Sequence, residues 1–125
     1  MSQIHYKGEA FMWPASGDDL RVERFEAEGI MRDQPHELAL DLAAVPPDDP
    51  ERWSGVLPLA GSGMLRGSFK PRGDSWPGET QVNLYRATGN DSVLLLWGEW
   101  RERDPESHGA YDVYKFLVEL DSEDE

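Results

Sequence analysis

Glu99, Glu102, Asp104, Glu106 and His108 fall within ten consecutive positions, and carboxylates beside an imidazole could coordinate a divalent cation. The spacing lacks the D-x-[DN]-x-[DN]-G order of a calcium loop. Arg101 and Arg103 interleave the acids, so a solvated, internally paired connection is the simpler expectation. Glu99 also follows the apolar alternation Val93, Leu95, Trp97, which makes it the strongest candidate for a buried acid. Glu9, Glu23, Glu26 and Glu28 could join it as paired carboxylates inside a barrel, where neighbouring acids drive their proton affinities apart.

Other chemistries find less support. His5, His36 and His108 each sit in or beside a turn or terminus, with no G-x-S-x-G or H-E-x-x-H pattern around them. Gly61-Ser62-Gly63 lacks the lysine and the following helix of a phosphate-binding loop. Arg72-Gly73-Asp74 resembles an adhesion tripeptide over three residues only. The absence of cysteine excludes disulfides, thiolate metal sites and thiol nucleophiles. No catalytic residue, metal or cofactor is assigned, and a non-enzymatic role is preferred. The residues expected to touch a partner are Trp53, Trp76 and Trp100 with Glu99, Glu102, Asp104 and Glu106, because tryptophan anchors interfaces and acids steer them. Trp76 is the most suggestive, since it lies in the turn-like stretch 73–78, where no strand period requires it.

The elements that must carry these residues have a period of two. Phe25, Ala27, Gly29 and Met31 alternate with Arg24, Glu26 and Glu28. Val82 and Leu84 alternate with Gln81 and Asn83, and Tyr114, Phe116, Val118 and Leu120 alternate with Val113, Lys115, Leu117 and Glu119. Turn residues separate such runs, Gly89-Asn90-Asp91 being the clearest hairpin signal. Strands are therefore expected near 3–12, 20–32, 63–70, 79–88, 92–101 and 110–120. Glu37 to Val45 alternates like a strand but has the Glu, Leu and Ala content of a helix, which Asp33 could cap; the alternation decides for strand. Trp53 to Leu59, interrupted by Pro58, reads as an edge strand or a bulge.

Ala27 to Met31, Leu65 to Phe69 and Leu96 to Trp100 each place a glycine between apolar residues. Mid-strand glycine costs roughly 0.5–1 kcal/mol, so three suggest sharply coiled strands or room for a neighbouring ring. The expected fold is all-β: an antiparallel up-and-down meander of seven or eight strands forming a small β-barrel, closed or left open at one seam. It resembles lipocalin and avidin barrels in outline only. The alternative is a two-layer β-sandwich with one short helix at about 34–45.

Residues 1–120 make a single β-domain, long enough to bury a substantial core, and 121–125 an acidic C-terminal tail. With 12 basic and 25 acidic residues, the chain carries −13, and the tail's four acids leave −9 on the domain. This balance argues against direct binding of nucleic acid or anionic membrane, both of which need Lys and Arg on phosphates. No signal peptide or spanning segment is visible, so a soluble, cytoplasmic protein is the default expectation. The function expected is that of an acidic binding protein, an inhibitor or immunity-type protein that masks a basic partner protein. The alternative is a barrel that binds an apolar small molecule. The segment 93–100, apolar on both faces, offers a homodimer surface as a further option.

Overall fold

A computed structural model describes residues 3–16, 22–33, 36–45, 52–61, 63–72, 77–86, 92–103 and 111–123. They form β1 (Gln3–Pro14), β2 (Glu23–Asp33), β3 (His36–Val45), β4 (Arg52–Gly61), β5 (Met64–Arg72), β6 (Gly78–Arg86), β7 (Val93–Arg103) and β8 (Tyr111–Ser122). Each strand pairs antiparallel with its sequence neighbour, and β8 returns to pair with β1, closing the barrel. Neither the sandwich nor the open seam is found. Among the described residues there is no helix, and so none long and apolar enough to cross a membrane.

The alternation places one face of every strand inside. On β2, Phe25, Ala27 and Met31 are buried while Arg24, Glu26 and Glu28 are exposed. The 36–45 segment is strand β3, hydrogen-bonded to β2 on one side and β4 on the other, and it buries Leu38, Leu40 and Leu42 completely. Helix propensity differs by only tenths of a kcal/mol per residue, so two ladders and three buried leucines outweigh it. β4 is not an edge, because a closed barrel has none. Pro58 pairs opposite Glu37, and the β4–β5 register shifts between Leu59 and Gly61, so the expected bulge lies just beyond the proline. β8 runs to Ser122, and the Glu123 N–H donates to the His5 carbonyl at 2.8 Å, so the acidic end begins as part of the barrel wall.

The interior is filled by aromatic rings around Trp100. Its ring centroid lies 4.8 Å from Phe69, 5.3 Å from Phe116 and 5.7 Å from Trp53, with Phe25 stacked edge-on against Trp53. The benzo ring of Trp100 sits directly over Gly78, in the space any side chain there would take. Thr80 is the one buried polar side chain among the described residues, and its hydroxyl donates to the Glu99 carbonyl at 2.6 Å.

Candidate functional site

Two of the expected partner-contacting residues belong to the core. Trp100 is fully buried and Trp53 is 3% exposed, so neither reaches a partner. Glu102 serves that core: its Oε1 accepts the Trp100 indole N–H at 2.9 Å, as a buried indole requires. Glu99 is not a buried acid. It stands on the outer face, 42% exposed, with carboxylate oxygens 3.4 Å from Arg101 and 3.7 Å from Lys115. Its apolar predecessors Val93, Leu95 and Trp97 face outward too, while Leu94, Leu96 and Trp100 face inward. Glu9, Glu23, Glu26 and Glu28 are likewise exposed rather than paired inside. Trp76, Asp104, Glu106 and His108 lie outside the described residues, and His5 and His36 are exposed on separate strands. Among the described residues no three metal-ligating side chains converge.

What the fold does bring together is a pair of adjoining rows on the outside, set by strand register. In the first, Trp97, Leu117 and Phe11 oppose one another across β7, β8 and β1. Tyr85 and Leu95 are directly opposed on β6 and β7, and Trp13 packs on Trp97 with ring centroids 5.7 Å apart. The second row begins two residues along each strand, on the same face: Glu119 opposes Glu9, and Glu9 opposes Glu26. One further step along, Glu28 stands between Asp41 on β3 and Lys7 on β1. All five carboxylates are exposed, and among the described residues none is matched by an ion pair. Glu26, Glu28 and Asp41 line a depression of about 250 Å³ whose far wall is Arg52 and Ser54.

A larger open groove of about 720 Å³ crosses the opposite side of the barrel over β5, β6 and β7, edged by Arg66, Gln81, Asn83, Trp97, Glu99 and Lys115. Its floor is backbone at Gly67 and Gly98. A side chain at Gly98 would point inward and collide with the Gln81 carbonyl, so glycine lets β6 and β7 close up there. Arg66 Nε donates to Gln81 Oε1 at 3.1 Å, and Arg101 and Lys115 both turn to Glu99, so the polar groups of the groove largely satisfy one another. Glu79, which also lines the groove, has no ion pair among the described residues, and neither have the carboxylates on the β1–β3 side.

Alternation alone could have located the acids, since Glu26 and Glu28 occupy the wet phase of β2. Their opposition to Glu9 and Asp41 depends on register, which turn lengths set and composition does not.

The class these features define is a closed eight-stranded antiparallel meander barrel with a filled interior and sharply divided outer faces. A scan against protein-family models finds no match, and a search of curated proteins finds no relative.

Proposed function

We propose that the chain is a non-enzymatic acidic binding protein, of the inhibitor or immunity type, that docks and masks a basic protein partner in the cytoplasm. The observation that carries this reading is the register-opposed set Glu119–Glu9–Glu26 and Glu28–Asp41, held on a rigid barrel without matching ion pairs among the described residues. Like charges placed directly opposite on neighbouring strands cost up to about 1 kcal/mol per pair. Lysines and arginines of a partner would relieve that repulsion on docking, and the summed field of a −13 chain speeds their encounter.

The packing of the interior favours recognition by the outer wall. The alternative, an apolar ligand held within the barrel, would have to displace Trp100 and the rings around it.

Neutralising the depression tests the reading. The variant Glu26→Gln/Glu28→Gln/Asp41→Asn should melt at the same temperature as the wild type or above it, because repulsion is removed. In affinity capture from the source cell it should lose a basic protein that the wild type retains near 0.1 M salt and releases when screening shortens below about 5 Å. Retention of that protein by the neutral variant, or capture indifferent to salt, rejects the proposal.

A further inference from the structure

The most unusual surface for so hydrophilic a chain is the apolar face of β7, β8 and β1. Of the seven large hydrophobic residues clearly exposed among the described residues, Val93, Leu95 and Trp97 lie on this face with Tyr85 of β6 beside them, and half-buried Leu117, Phe11 and Trp13 continue it. A contiguous apolar patch on a protein surface marks something that covers it. The charges at its borders say what. On β8 the outward positions run Lys115, Leu117, Glu119, so a cation and an anion lie about 7 Å to either side of the patch centre along one strand.

We propose that a second copy of this chain covers the face, in an isologous dimer whose two-fold axis crosses the strands along Trp97, Leu117 and Phe11. Two aligned face-to-face arrangements are open to a symmetric pair. With the axis parallel to β8 and passing through Leu117, Glu119 would meet Glu119 and Lys115 would meet Lys115, so both contacts oppose like charges. With the axis across the strands, position along β8 is reversed between the copies. Leu117 then meets Leu117, Trp97 meets Trp97, and Glu119 of each copy lies over Lys115 of the other. The borders select this second arrangement. Lys115 already leans 3.7 Å from Glu99, an exposed contact weak enough to be shared or exchanged.

The net charge does not forbid the pairing. Repulsion between the acidic β1–β3 faces acts across distances that salt screens beyond about 10 Å, whereas apolar contact acts at van der Waals range. Glu26, Glu28 and Asp41 on β2 and β3 lie outside the apolar face, so the dimer leaves that depression free. Glu119, by contrast, is common to both surfaces and would be engaged by Lys115 of the second copy.

Sedimentation equilibrium across a concentration series, with melting temperature as the check on folding, decides the matter. The wild type should approach twice the monomer mass. Lys115→Glu and Glu119→Lys should each weaken the dimer by about tenfold or more, and the double variant should recover most of the wild-type affinity, because the exchanged charges again face one another. Trp97→Ser should give monomer; because it also loses the Trp13 contact, Leu95→Glu, which leaves that contact in place, should give monomer too. A wild type that stays monomeric, a double variant no better than the singles, or a dimer indifferent to Trp97→Ser would each overturn the proposal.

Discussion

Trp100→Ala is expected to remove about 3–5 kcal/mol of stability, enough to leave much of the chain unfolded at physiological temperature. Trp100 is fully buried, touches Trp53, Phe69 and Phe116 at once, and fills the space left by Gly78. Truncation loses the transfer free energy of the largest side chain and opens a cavity that a closed barrel cannot collapse, since its radius is fixed by strand number and stagger. It also removes the indole N–H that the Glu102 carboxylate accepts. Urea denaturation followed by circular dichroism measures the loss. A drop below about 1 kcal/mol would show that the interior is loosely packed, and would reopen the barrel to a ligand.

The second large effect is expected at the closing seam. Gly8 on β1 pairs opposite Leu120 on β8, and a methyl group there would fall inside the van der Waals envelope of the Glu119 carbonyl oxygen. That obstacle is backbone, which cannot swing aside as a side chain can. Gly8→Ala should therefore force β1 and β8 apart and destabilise by about 2–3 kcal/mol or more. The damage should be local first: amide hydrogen exchange should quicken across β1 and β8 while β3 and β4, packed on the far side, keep their protection. Uniform loss of protection would mean that the barrel opens only as a whole.

These two sites also show what the sequence made readable. Strict alternation on β2, β3 and β8 exposed the strand content and even the assignment of 37–45. The inward face of β7 was not readable in the same way, because Val93, Leu95 and Trp97 are as apolar as Leu94, Leu96 and Trp100. Hydrophobicity could not tell the core from the patch. The glycines could have: Gly29, Gly67 and Gly98 share the phase of Phe25, Leu65 and Trp100, and each would meet a neighbouring strand or side chain inside. Space is scarce only on the inner side of a narrow barrel, so in-phase glycine marks it. That signal puts Trp100 inside and Glu99 outside. Glu102 was singled out for its charge, yet it follows Trp100 by two residues and accepts the indole N–H. Trp13 was missed because nothing in its own strand end, beside Pro14, indicates that β7 would bring Trp97 against it.

The pairing of β1 with β8 has a consequence for how the chain comes to be folded during its synthesis. Seven of the eight ladders join neighbours in sequence and can form as hairpins while the polypeptide emerges. The eighth joins Gly8 to Leu120, 112 residues apart, and closing a loop of that length costs on the order of 4 kcal/mol in chain entropy. Until β8 leaves the ribosome, β1 and β7 are both unpaired rims, and the leucines of β7 have no inner partner. A chain in which β8 has yet to pair is therefore an open sheet with two rims, and the pairing of β8 removes both.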